Sequence, residues 1–130
     1  MKVDGGLGLS PNIEKIAKEA RSQEERGYDG IWTAETSHDP FLPLTIAAEH
    51  TQNLELGTSI AVAFARNPMV LANIGWDLQA LSNGRFNLGL GSQIKPHITK
   101  RFSMEWSKPA ARMREMVYAM RAIWNTWMTG

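Results

Sequence analysis

An α/β fold with parallel strands is what this chain predicts, and three observations predict it. Short apolar segments at residues 1–3, 30–34, 54–58 and 85–90 start 29, 24 and 31 residues apart, each followed by a helix-like stretch. Parallel neighbours need such a helical crossover, so the repeated unit implies a parallel sheet. Each segment also ends in residues suited to a site: Asp4-Gly5-Gly6, then Glu35-Thr36-Ser37-His38, Ser59-Ile60-Ala61 and Gly91-Ser92-Gln93. In parallel sheets chemistry gathers at the carboxyl ends of strands. Finally, 130 residues hold four such units, half the number in an eight-unit barrel of about 250 residues.

The elements follow in order. After the first strand, Ser10-Pro11 predicts a helix start, with Ile13, Ile16, Ala17 and Ala20 as its apolar stripe and Gly27 as its end. Residues 31–34 form the second strand. Residues 42–50 then read as helical, with Pro43 near the start, and Leu54 opens the third strand. Asn67-Pro68 repeats the cap-plus-proline signal, Val70, Leu71, Ile74, Leu78 and Leu81 make a buried face, and Asn83-Gly84 closes the helix. Phe86, Leu88 and Leu90 alternate with Asn87 and Gly89 in the fourth strand, and residues 95–101 read as a basic loop. The last helix opens near 107–109 and runs to about Met128. Its stripe is Met113, Met116, Val117, Met120, Trp124 and Trp127, expected to cover the sheet.

Composition narrows the class. Hydrophobic residues at 43% with charged residues at 21% describe a globular chain, and the absence of cysteine removes disulfide and thiolate chemistry. The longest apolar run, 60–65, is too short to span a bilayer, and the polar, glycine-rich sequence after Met1-Lys2 leads us to expect no signal peptide. A soluble cytoplasmic protein is expected, with no membrane partner. The net charge of +1 hides a basic final segment, with 7 basic and 2 acidic side chains over 95–130. It reads as a solvated helix face and a basic loop. No nucleic-acid motif accompanies it, so a small-molecule substrate is expected instead. His38, His50 and His97 are scattered, which predicts no metal site.

Among groups able to do chemistry, Glu35 and His38 form the strongest pair, three residues apart after the second strand. A carboxylate and an imidazole there can orient a substrate or move a proton. The competing reading is turn chemistry by Ser37 and Asp39 ahead of Pro40. Thr58 and Ser59 are small hydroxyl residues that let a flat ligand approach the backbone, or simply end a half-buried strand. Gly89-Leu90-Gly91-Ser92-Gln93 begins like a dinucleotide fingerprint, but Ile94 stands where its third glycine belongs. Glycines at a strand end still allow close approach of a ring or phosphate.

Together these residues resemble the bacterial-luciferase-like superfamily of flavin- and deazaflavin-dependent oxidoreductases. The resemblance rests on residues 27–32 (GYDGIW), 56–60 (LGTSI), 66–68 (RNP), 82–86 (SNGRF), 88–92 (LGLGS) and 120–124 (MRAIW), which cover nearly the whole chain in order. It implies TIM-barrel-type (β/α) units, with residues 1–130 as the first four of eight, the N-terminal half of a barrel domain. It also implies a cofactor ring over the strand ends, coenzyme F420 for the branch this chain resembles most, with FMN as the alternative. Glu35 matches the acidic position of deazaflavin-dependent members. Thr58, Ser59, Ile60, Gly91 and Ser92 match cofactor-contacting positions, and Ser59–Ile60 falls where members often carry a non-proline cis peptide. Two departures stand out: Thr36 occupies the place of the histidine usual after the acid, with His38 two residues later, and Ile94 lies near a second acid used by some members.

The expected function is hydride transfer from reduced deazaflavin, or flavin-dependent monooxygenation, on a small organic substrate, with Glu35 and His38 catalytic. From a different class, a catalytically incomplete half-barrel would serve as a binding or assembly module. Open strand edges predict a homo-oligomer or a missing C-terminal half.

Overall fold

A computed structural model describes residues 1–8 and 10–130. The chain divides into two compact units, residues 1–61 with 77–90 and residues 62–76 with 91–130.

The first unit carries the sheet. Strands β1 (Asp4–Gly6), β2 (Gly30–Thr33), β3 (Glu55–Thr58) and β5 (Phe86–Asn87) pair in that order, all parallel. Between them run helices α1 (Ile13–Glu25), α2 (Leu42–His50) and α3 (Pro68–Leu81), and the boundary between the units passes through α3. It also passes through two further two-residue strands, β4 (Ala61–Val62) and β6 (Leu90–Gly91). The parallel α/β class with sequential strands, expected from the repeated units, is what the sheet has.

Register explains the burial. Ile31, Leu56 and Phe86 lie side by side across the sheet, so they share one face. That face is apolar, with Ile31 and Leu56 fully buried, and Leu44, Ala47, Ile16 and Ala20 complete the core. Burial of each large aliphatic side chain contributes about 1.5–3 kcal/mol. On the other face Trp32 lies against Gly57, where a Cβ would fall 2.2 Å from the ring, and its Nε1 donates to Asp4 Oδ2 at 3.0 Å.

A polar cluster locks the amino ends of β3 and β5. The Arg85 guanidinium donates to the carbonyls of Ser82, Leu54, Ala48 and Thr51 and to the Thr51 hydroxyl, at 2.7–3.1 Å. Glu24 accepts the backbone N–H groups of Gln52, Asn53 and Leu54. Burial works to raise the Glu24 pKa, but those donors and the Arg85 charge outweigh it and hold the carboxyl below its ordinary range. Burial likewise lowers the Arg85 pKa, against the Glu24 charge.

The second unit is built on aromatic contacts. Buried Phe64 meets Trp106 edge-on at 6.0 Å, with the Arg112 guanidinium 4.4 Å from its ring centre. Helix α4 (Pro109–Thr129) buries Met116 and Met120, and Trp124 Nε1 donates to the Ala72 carbonyl at 3.0 Å. Among the described residues no helix is long and apolar enough to cross a membrane.

Several elements differ from expectation. The first strand is Asp4–Gly6 and not residues 1–3, because Asp4 and the two glycines have partners that local propensity does not reveal. Gln23 packs over Gly5 and donates to the Gly6 carbonyl. Helix α1 is capped by Asn12, whose side chain accepts from Lys15 N, so it starts two residues beyond Ser10-Pro11. Ile13, Val70 and Leu81 are exposed, and Ala72 and Ser82 take up part of the buried role assigned to the α3 stripe. The fourth strand breaks at Leu88-Gly89 into β5 and β6, and the 60–65 run supplies β4 and a short helical turn, Ala63–Ala65. The basic loop contains a wide helical turn, His97–Arg101, closed by Phe102 N on the His97 carbonyl. Pro96 sits at its start, where a proline lacks nothing the helix needs.

Candidate functional site

Beyond the last paired residues, Thr33 and Thr58, the β2–β3 ladder continues in the main chain. Ser59 N donates to the Thr33 carbonyl at 2.6 Å and Glu35 N donates to the Ile60 carbonyl at 3.1 Å. These two bonds bring Glu35 beside the Ser59–Ile60 peptide, which is cis. Ser59 is exposed, and Ile60 and Glu35 are half-buried, so the strand ends present a small hydroxyl, a flat peptide and a carboxylate.

Thr58 is set differently. It is buried, and its hydroxyl donates to the Gly89 carbonyl at 2.8 Å while accepting Gly89 N at 3.0 Å. Ala61 N donates to the same Gly89 carbonyl at 2.9 Å. Thr58 therefore clasps the fourth segment and holds Ser59–Ile60 from behind. Gly89 must be bare here, since a Cβ would stand 1.9 Å from the Thr58 carbonyl oxygen. Close approach of backbone to backbone, and not of a ligand to glycine, is the reason for this glycine. Its interruption of an otherwise alternating strand was the available signal.

The loop bearing Glu35 and His38 is fixed at its far end too. Buried Thr33 donates its hydroxyl to the Pro40 carbonyl at 2.7 Å, and Asp39 Oδ1 accepts Phe41 N and Leu42 N at 2.7 and 3.0 Å. Asp39 thus caps α2, the turn-forming role its position suggested. His38 is exposed and lines a cavity with residues of α1 and α2. Thr33 was not among the sequence candidates, because only its partner seven residues on gives it a role. Gly91 and Ser92 belong to the second unit, where both are half-buried and the Ser92 hydroxyl donates to the Gln93 carbonyl at 3.2 Å.

The strand-end geometry suits a flat, polar-edged group. Ser59 and Ile60 offer a low surface, with the Glu35 main chain bonded beside it. Among the described residues no three His, Asp or Glu side chains converge as a metal site would require.

Comparison with known proteins gives the family. Residues 1–129 match the family model for luciferase-like monooxygenases. A protein of Mycobacterium tuberculosis is 63% identical over the whole chain, which spans 38% of that relative's length. The F420-dependent glucose-6-phosphate dehydrogenase of Rhodococcus hoagii is 34% identical over 92% of the chain and 41% of its own length. Among solved structures, the monooxygenase RslO1 from Streptomyces bottropensis superposes with a TM-score of 0.83 at 26% identity. It covers 95% of this chain and 43% of its own. The chain thus spans less than half the length of these proteins.

Proposed function

Because the chain belongs to the luciferase-like monooxygenase family, we propose that it supplies strand-end residues to an oxidoreductase that binds reduced coenzyme F420 and acts on a small organic substrate. The observation that carries this is the pair of main-chain bonds tying Thr33 and Glu35 to the Ser59–Ile60 peptide. When bound, the deazaflavin supplies the hydride. The protein's part is then to bind, orient and handle a proton.

Ser59 and Ile60 form the surface under the ring, and Thr58, clasped to Gly89, fixes its height. The Glu35 carboxylate holds a hydrogen bond at the margin of the site, and the His38 imidazole gives or takes the proton that accompanies reduction. Gly91 and Ser92 keep the cofactor contact that the family resemblance assigns them. F420 is preferred over FMN because the dehydrogenase that is 34% identical over 92% of the chain is F420-dependent. The likeness to a monooxygenase structure makes FMN with oxygen the other outcome of the test.

Fluorescence titration of the protein with F420 and with FMN decides the matter. Saturable binding of F420, weakened by Ser59→Trp at unchanged melting temperature, is expected. Binding of FMN alone reverses the cofactor assignment, and no saturable change with either refutes the reading. In the turning-over enzyme, His38→Ala keeps cofactor binding and loses about 10²–10⁴-fold in rate. An unchanged rate leaves Glu35 as the proton-handling group.

A further inference from the structure

A cavity of about 200 Å³ opens in the first unit between the start of α1 and the start of α2. Its walls are aliphatic, with Ile13 and Ile16 on one side and Leu42 and Ile46 on the other, and its polar groups include Ser10 and His38. Ile16 is buried, but Ile13 and Leu42 stand 68% and 70% exposed at the opening. Both belong to helices whose other apolar residues are covered, so a seated apolar body would remove this surface from water. Size limits that body: a dry aliphatic cavity of about 150 Å³ accepts one benzene ring.

Chemistry limits it further. Asp39, also in the wall, has one carboxylate oxygen committed to Phe41 N and Leu42 N as the cap of α2. His38 and Ser10 then present an imidazole and a hydroxyl, which suit a single neutral hydrogen-bonding group. An anionic ligand has no opposing charge in this lining and would meet the Asp39 carboxylate. We infer that this cavity binds one uncharged ring bearing one hydroxyl, a small phenol or cyclic alcohol, with the ring between the isoleucines and the hydroxyl on His38. The inference stands on the cavity alone and does not depend on which cofactor the family site takes.

The test is titration of the isoleucine-methyl-labelled protein with p-cresol and with toluene, read by carbon–proton correlation spectra. Saturable shifts in the Ile13, Ile16 and Ile46 methyl signals are expected, with a dissociation constant on the order of 1 mM for eight heavy atoms. The hydrogen bond gives p-cresol about a tenfold advantage over toluene. His38→Ala removes that advantage and leaves toluene binding as it was. Ile46→Trp, which fills the cavity, weakens both at least tenfold. Leu42→Trp, at an exposed position, does the same by covering the mouth if Ile46→Trp fails to fold. Folded protein showing no saturable methyl shifts overturns the inference, as do shifts that both filling variants leave intact. Equal affinity for p-cresol and toluene overturns the assignment of the hydroxyl to His38.

Discussion

Replacing Gly89 by alanine tests the clasp behind the site. The added Cβ would lie 1.9 Å from the Thr58 carbonyl oxygen and 3.1 Å from its carbon, both backbone atoms that cannot rotate aside. An ordinary contact needs about 3.5 Å, so the two segments must part by roughly 1.5 Å. That displacement removes three hydrogen bonds: Thr58 Oγ1 to Gly89 O, Gly89 N to Thr58 Oγ1, and Ala61 N to Gly89 O. At about 1 kcal/mol each the loss is about 3 kcal/mol, while the reduced freedom of the unfolded chain returns under 1 kcal/mol. With a urea slope of about 1–2 kcal/mol/M, the midpoint should fall by roughly 1–3 M. Gly6→Ala is the matched control, because nothing stands within 4 Å of a Cβ there. It should move the midpoint by less than about 0.5 M. Tryptophan fluorescence against urea reads both variants. Equal midpoints for Gly89→Ala and Gly6→Ala would show that the clasp does not hold the strand ends.

Three further outcomes follow from the same contacts. Arg85→Met strands several carbonyls among buried Leu54 and Thr51, and should cost about 3–5 kcal/mol by urea melt, with Arg85→Lys recovering only part. Glu24 has a depressed folded pKa, so its contribution is present above the ordinary carboxylate range and lost as pH falls through the folded value. Melting temperatures from about pH 3 to pH 7 should therefore converge for wild type and Glu24→Gln at the acid end, and parallel curves would contradict that sign. Exposed Val70, Trp76, Trp127 and Met128 in the second unit predict self-association, read as a mass above 14.5 kDa in light scattering. A monodisperse monomer would disprove it.

What was legible in the sequence was local. Helix α2 runs from Leu42 to His50 as its apolar run and Pro43 indicate, and α3 begins at Pro68 with Asn67 Oδ1 accepting Val70 N. Both signals lie within four residues of their effect. Strand β1 lies at Asp4–Gly6 and not at residues 1–3 because Asp4, Gly5 and Gly6 are chosen by Gln23 and Trp32, 17 to 28 residues away. The site divides along the same line. Glu35, Ser59 and Ile60 could be nominated from strand-end position and family resemblance. The clasp of Thr58 on Gly89 spans 31 residues and no spacing rule reports it.

The loop from 34 to 40 is anchored at both ends and carries its chemistry in between. Glu35 is pinned by its own N–H, Pro40 by its carbonyl and Asp39 by the cap it makes, and none of these bonds uses the side chains of Ser37 or His38. Ser37 and His38 are both exposed. They are therefore exchangeable without unpicking the frame: selection can alter or remove the imidazole at 38 while the loop that presents it stays folded. Divergence in reactivity can thus accumulate across these two codons without first passing through an unstable protein.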